Sequence, residues 1–364
     1  MNSFDVAIIG GGPAGSSLAI SLRDQGVSVL MVERSDYQQW RAGETLAPKV
    51  CIPLSKLRVM SSLVDTPHIA SQARLAAWGD PKLIENHSIS NPYGTGWHID
   101  RGKFDSALAA AAADRGARVL RKTCYISALR EDLWRITLRN ECDTFEVKAK
   151  LLVDATGRVS QVARSLGSRG IFYDQLIALV GILAPNSLDE SVDSALTLEA
   201  VEDGWWYMVP LPTGRILLAF MTDKDIFLGS RASPSEYWLT LIKKTEHLSR
   251  LLASYHLAEN VLIRNASTFR LDKMAGAGWI AVGDAACAFD PLAGNGVLKA
   301  LVSGIDASLA FVRHSNDSNA FDNYDDTVRV MFNNYLVHRT EFYQREKRWR
   351  QSSFWLRRHQ RMTN

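Results

Sequence analysis

Asp5-Val6-Ala7-Ile8-Ile9-Gly10-Gly11-Gly12-Pro13-Ala14-Gly15 decides the fold: a short run rich in β-branched residues, a glycine turn, then the helix-like Ser16–Arg23. The spacing predicts strand, turn and helix. Gly10 permits the tight turn, Gly12 lets the backbone approach a pyrophosphate, and Gly15 lets the helix pack close to the strand. The helix N-terminus then faces the anion. A second strand, Val27–Val32, ends at Glu33, whose carboxylate suits the two hydroxyls of an adenosine ribose and disfavours a 2′-phosphate. The stretch calls for a dinucleotide without saying which.

The chain has 364 residues, more than one hydrophobic core usually supports, so a domain carrying an inserted one is expected. With 46% hydrophobic and 22% charged residues it is neither collagen-like nor disordered. A net charge of +3 gives no reason to expect nucleic acid as a partner. Cys51, Cys124, Cys142 and Cys287 are far apart, so no zinc site or redox dithiol is signalled, no metal is expected, and a reducing compartment fits. No export signal precedes the first strand, and the longest apolar run, around Ile177 to Pro185, is too short to span a bilayer. The expectation is a cytoplasmic protein with no membrane partner.

Far down the chain, Trp279-Ile280-Ala281-Val282 reads as a strand leading into Gly283-Asp284-Ala285-Ala286. GGGPAG with Glu33, the stretch Asp100–Asp105, Asp154-Ala155-Thr156-Gly157-Arg158, and the run from Gly283 to Gly296 together resemble the ordered signatures of FAD-dependent monooxygenases of the aromatic hydroxylase type, including their halogenase branch. The resemblance covers about residues 1 to 310. It implies FAD as cofactor, held by Gly10, Gly12, Pro13, Ala14, Gly15, Glu33, Arg34, Arg41, Arg101, Asp154, Ala155, Thr156, Gly157, Gly283 and Asp284. Asp284 would hydrogen-bond the ribityl chain, and Pro291, Gly294, Asn295 and Gly296 would face the flavin pyrimidine edge, where a helix N-terminus stabilises negative charge on the reduced ring. Taken singly, Asp154 reads as a loop acid and Asp284 as a helix cap; four pieces in the expected order favour the cofactor.

The implied fold class is α/β: a Rossmann-like FAD-binding domain of the aromatic hydroxylase (GR2) type, an inserted, mostly antiparallel β-sheet substrate domain, and a C-terminal helical segment. The FAD domain is expected at 1–73, 99–168 and 271–325, the substrate domain at 74–98 and 169–270, and the helical segment at 326–364. Strand patterning in SALTLEA, WWYMVPLP, RILLAFMT and VLIRNASTFR supports the insert.

Gly204–Pro210 as a strand puts Trp205, Tyr207 and Val209 on one face and Trp206 and Met208 on the other. Trp205 and Tyr207 are expected to line the pocket and exclude water from the reduced flavin, sheet core being the alternative. Arg41-Ala42-Gly43-Glu44 resembles the family's loop on the isoalloxazine side, where Arg41 and Glu44 would border the pocket unless they form a surface ion pair. His98 could move protons, although a lone histidine reads first as structural. Trp205, Tyr207, Glu44, Arg41 and Asn295 are the catalytic candidates.

Halogenases of this fold carry Trp-x-Trp-x-Ile-Pro and Phe-x-Pro-x-x-Ser-x-Gly. Here Tyr207 and Val209 interrupt the first, Gly294 replaces the serine of the second, and Ile69–Leu75 holds no lysine to activate hypohalous acid. These departures favour oxygenation of an aromatic ring. The tail Phe342–Trp349 and Phe354–His359 is similar to that of halogenase-like flavoproteins that mature cysteine tryptophylquinone in partner oxidases, which implies a protein-bound tryptophan as substrate and the tail as a docking surface; an amphipathic helix packed on the FAD domain is the alternative. No second dinucleotide motif follows a strand, so an external reductant or a flavin reductase must supply electrons. A small-molecule aromatic hydroxylase, a flavin-dependent halogenase, a prenyl-chain reductase and a non-enzymatic escort of the same fold stay open.

Overall fold

From Val6 to Ile9 every side chain of the strand Ser3–Ile9 is buried, as a parallel strand covered on both faces requires. In the computed structural model, which describes residues 2–88, 91–187, 193–314 and 316–360, this strand lies between the parallel strands Thr144–Asp154 and Val29–Val32. The eight-stranded sheet continues to Arg118–Leu120 on one side and to Trp279–Ala281 and Ala275–Gly276 on the other, with the hairpin Cys124–Arg130 and Trp134–Arg139 added to Thr144–Asp154.

Small residues then bring the distant motifs together. The first helix, Pro13–Arg23, packs on Gly296–His314, where a Cβ at Gly304 would stand 2.5 Å from the Ala14 carbonyl oxygen. The Ser17 hydroxyl donates to the Leu301 carbonyl at 2.6 Å, and a Cβ at Gly283 would lie 2.7 Å from Ala14 Cβ. The Gly283-Asp284 turn therefore sits against the N-terminal turn of the first helix, although 269 residues separate Asp284 from Gly15 in sequence (284 − 15).

A second eight-stranded sheet follows the order Tyr255–Leu257, Leu176–Pro185, Ile216–Asp223, Gly204–Pro210, Leu196–Val201, Ala73–Ala77, Ile84–His87, with Leu262–Asn265 also on Leu176–Pro185. It is antiparallel except for Leu196–Val201 beside Ala73–Ala77. Its two faces follow the period-2 alternation: Trp206 and Met208 join one apolar cluster with Trp238, and Trp205 and Tyr207 join the other.

Several expectations are corrected. VLIRNASTFR is not one strand: Leu262–Asn265 belongs to the insert sheet, whereas Phe269–Leu271 pairs with Gly170–Phe172 and Cys287–Ala288 in a separate three-stranded sheet. The strand Gly96–Ile99, split by the boundary drawn at 98 with residues 96–98 given to the insert, pairs with Thr45–Leu46 and His68–Ser71. The insert also holds the helix Pro234–Ile242, started by a capping box between Ser233 and Glu236 with proline in the first turn. The boundary drawn at 325 falls inside one continuous helix, Ala320–Tyr343.

Tyr343, Phe354, Trp355 and Arg358 of the C-terminal tail are core, whereas Arg345, Lys347, Arg350 and Arg357 stay exposed. Tyr343, Phe354 and Trp355 are fully buried against Trp78 and Trp205. Arg358 lies under the same cluster, stacked on Phe354 at 3.5 Å and held by both Asp223 oxygens at 2.7 and 3.0 Å. Among the described residues no helix is long and apolar enough to cross a membrane.

Candidate active site

The glycine turn fits a pyrophosphate. Gly10 has φ +114° and its Cβ would strike the Ala155 carbonyl oxygen at 2.1 Å; Gly15 would strike Gly10 O at 2.0 Å. Gly12 caps the helix with no side-chain bond and no acid in the first turn, and a Cβ there would meet nothing within 4 Å. Open space thus lies before the helix N–H groups, with Pro13 and Ala14 buried behind them. Glu33, at the end of its strand, accepts from Gly11 N at 2.9 Å through Oε2 and from Ser35 N and Oγ through Oε1, which leaves Oε2 able to accept a ribose hydroxyl. Arg34 is exposed.

Arg41 is held by carboxylates at the end of the second strand. Its guanidinium pairs with Glu33 at 2.8 Å and Asp105 at 3.2 Å and donates to Ser35 Oγ, which ties it to the nucleotide end. Asp154 has its hydrogen bonds within the chain. It is fully buried, with Oδ1 accepting from Thr156 N and Oγ1 and Oδ2 from Ala163 N, so it shapes the Ala155–Gly157 turn. The loop-acid reading describes it. Gly157 faces open space.

Asp284 keeps an open side. Its carboxylate receives Lys299 Nζ at 2.7 Å and lies 3.6 Å from Arg158 Nε. Burial pushes its pKa up, but the Lys299 and Arg158 charges more than offset this and hold it below the ordinary carboxylate range. Lys299, which the sequence reading missed, is buried over the Phe289 ring at 4.5 Å and also donates to the Cys287 carbonyl. Arg158 donates to the carbonyls of Ser267 and Phe289, both at 2.7 Å, and so straps the strand before the 291–293 turn. Pro291–Ala293 is a 3₁₀ turn ending at Gly294, and Gly294, Asn295 and Gly296 are exposed just before the helix Gly296–His314. Asp284→Ala is expected to remove one charged hydrogen bond, about 1.5–3 kcal/mol, and to weaken FAD binding by roughly 10- to 100-fold. Flavin absorbance per chain after dialysis reads the loss, with Asp284→Asn as the milder variant.

Next to this turn stands a polar group under apolar cover. Leu292 packs on the same cluster as Trp40 and Tyr207. Arg101 binds Asp105 through two bonds of 3.0 and 3.1 Å and the Ala42 carbonyl at 2.6 Å, and it feels the charges of both Glu44 and Asp284. Glu44 is 3% exposed; Oε2 accepts from Gly43 N, and Oε1 makes no hydrogen bond of good geometry, although the Trp40 indole N–H, itself without a partner, bears on the carboxylate. Burial pushes its pKa up to about 7, against the weaker pull of nearby backbone N–H groups, Arg101 and the Trp40 indole. Tyr207 is half-buried, its pKa driven up by burial and then by the Glu44 charge. Its hydroxyl lies 2.7 Å from Thr45 Oγ1, which lies 3.1 Å from His98 Nδ1; His98 Nε2 is 2.9 Å from the Ser194 carbonyl oxygen. Burial lowers the His98 pKa to about 4, so the ring is neutral. Trp205, expected in the pocket, is fully buried and donates to Tyr343 Oη at 3.0 Å.

An open cavity of about 500 Å³ elsewhere is lined by Phe172, Gln175, Lys224, Phe227, Ile263 and Ser267. It contains none of the motif glycines and neither Glu44 nor Tyr207.

The glycine turn before the first helix and the Gly283-Asp284 turn packed against it, together with the family match, define a flavoprotein of the oxidoreductase and halogenase class. The chain belongs to the FAD-binding domain family, whose model matches residues 3–325. FAD is its cofactor and it is an FAD-dependent enzyme. It is 31% identical over 366 residues to the putative FAD-dependent oxidoreductase LodB of Marinomonas mediterranea, covering 99% of this chain and 98% of that one. Among solved structures its fold is shared with the myxobacterial chondrochloren halogenase CndH (TM-score 0.88, 23% identity, 98% of this chain and 86% of that chain). It is shared also with the peptidyl tryptophan dihydroxylase QhpG, essential for tryptophylquinone cofactor biogenesis (TM-score 0.81, 24% identity, 100% of this chain and 80% of that chain).

Proposed function

We infer that this enzyme hydroxylates an electron-rich aromatic ring, that of a tryptophan side chain in a partner protein on its way to a tryptophylquinone. The observation that carries the hydroxylation is the lack of the lysine that halogenation needs: Ile69–Leu75 holds Arg74 as its one cation. Glu44 stands beside Tyr207, and the cation bearing on Tyr207 and His98 is Arg74. Lys299 is committed to Asp284 and the Cys287 carbonyl on the far side of the turn. FAD, once reduced by an external donor, supplies activated oxygen for transfer to the ring. The ring gains a C–O bond and loses the hydrogen on that carbon as a proton; the other atom of dioxygen leaves as water, at the cost of two electrons from the donor.

Glu44 takes that proton. A base is most effective with a pKa near the working pH, which burial gives this carboxyl. Burial excludes water around it, and Arg101 holds the Ala42 carbonyl of its loop while its charge acts on both Glu44 and Asp284. The protein-bound tryptophan rests on the likeness to QhpG, which spans the whole chain. The test is co-expression with a precursor of a tryptophylquinone oxidase, in chloride-containing medium, followed by mass spectrometry of its tryptophan. Oxygen added only when this enzyme is present is the expected result. Chlorine in its place would establish the halogenase reading, and turnover of a free aromatic with an untouched precursor would establish the small-molecule one.

A further inference from the structure

Resting on that reading and going one step further into its substrate, we propose that Tyr207 is a hydrogen-bond acceptor that selects rings bearing an N–H or O–H, because the chain Thr45–His98–Ser194 holds its own proton turned away from the site. The polarity follows from one end. The Ser194 carbonyl can only accept, so His98 Nε2 must carry the hydrogen that spans 2.9 Å to it. In the neutral ring Nδ1 then has a lone pair and no hydrogen, and the Thr45 hydroxyl at 3.1 Å has to donate to it. Thr45 has a single proton, now used, so at 2.7 Å the Tyr207 hydroxyl has to donate to Thr45 Oγ1. Each link leaves the next with one choice.

Tyr207 thus presents oxygen lone pairs and no hydrogen to the space it borders. Thr45 is the hydrogen-bond partner of its hydroxyl among the described residues, and the residue as a whole is partly exposed, which leaves oxygen lone pairs unengaged. Glu44 beside it adds a second acceptor whenever it is ionised. A tyrosine oxygen that can only accept discriminates against ethers and N-alkylated rings and favours indole N–H or phenol O–H. His98, fully buried, is a positioning residue acting through Thr45.

The experiment titrates the oxidised holoenzyme with two probe pairs, 3-methylindole against 1,3-dimethylindole and phenol against anisole, followed by the flavin difference spectrum. Tighter binding of the donor-bearing member by roughly tenfold is expected, falling to a ratio near one in Tyr207→Phe. Thr45→Val frees the tyrosine proton to turn inward and should also erode the ratio. Equal flavin content per chain shows that each variant is folded. A ratio near one in the wild type, or one unchanged by Tyr207→Phe, overturns the proposal while leaving the tryptophan reading intact. Selective binding of phenol with no response to either indole upholds the acceptor role and removes tryptophan as the substrate. If none of the four binds, both ideas fall.

Discussion

Glu44→Gln is expected to lower kcat/KM by roughly 10²- to 10⁴-fold and at pH 8 to raise folding stability by up to roughly 3 kcal/mol. Both effects come from one fact, the burial of an acid with no hydrogen bond of good geometry to Oε1. In the folded chain the Glu44 pKa is raised from 4.5 to about 7, so the native state holds its proton more tightly than the unfolded state does. Its stability is therefore undiminished below about 4.5, falls as pH rises between those two values, and carries the whole penalty above about 7. Glutamine is neutral throughout and escapes that penalty. The charged and polar groups facing Glu44 are Arg101, Tyr207 and Trp40, and none of them titrates in that window. The wild-type kcat/KM should rise tenfold per pH unit up to about 7 and then level, and the variant should lack that limb. Urea unfolding at pH 8 beside the pH–rate profile checks both. Activity and stability lost together would mark Glu44 as a structural residue and remove the base from the mechanism.

The parts of this molecule that a sequence can disclose are those whose geometry is local. Gly10, Gly12 and Gly15 announce strand, turn and helix because the spacing itself builds them, and the two faces of Gly204–Pro210 follow from a strand's period of two. What lies beyond is decided by partners far away in sequence. An acid after a strand reads the same whether it meets a cofactor or, as Asp154 does, the N–H groups of Thr156 and Ala163. Arg41 could serve a flavin or Glu33 and Asp105; only the folded chain shows that the carboxylates hold it. Aromatics mixed with arginines describe a docking surface and a stacked core equally well, and Trp78, Trp205 and Asp223 draw Tyr343, Trp355 and Arg358 into a core. Lys299 did leave a trace, a lone cation within the apolar run Val297–Leu301, and a lysine there calls for a buried acid such as Asp284. Glu44, by contrast, was recognisable from its loop, but its raised pKa depends on burial, which only the folded chain shows.

Asp290→Ala is expected to cost about 3–5 kcal/mol of stability, the usual effect of removing one partner from a buried ion pair, and to weaken FAD binding as well. Asp290 and Arg339 are almost fully enclosed, joined at 3.2 Å, while Arg339 reaches Asp174 at 2.8 Å. The same Asp290 oxygen accepts from Tyr343 Oη at 2.7 Å, and Tyr343 in turn accepts from Trp205 Nε1, so one carboxylate joins the C-terminal helix, the insert sheet and the 291–293 turn. Its other oxygen accepts from Leu292 N at 2.9 Å and so pins the turn that would face the flavin. Alanine leaves the Arg339 charge with Asp174 alone among these two acids and removes the cap on Leu292. Tyr343→Phe deletes only the hydroxyl link and should cost about 1–2 kcal/mol with the turn still capped, so its FAD affinity should stay near that of the wild type. Urea unfolding and FAD titration of both variants separate the two roles. If Asp290→Ala lost stability yet bound FAD as the wild type does, the carboxylate would be a core ion pair without influence on the turn. If both variants lost FAD equally, the C-terminal helix would be acting on the cofactor through the hydroxyl and the insert sheet instead.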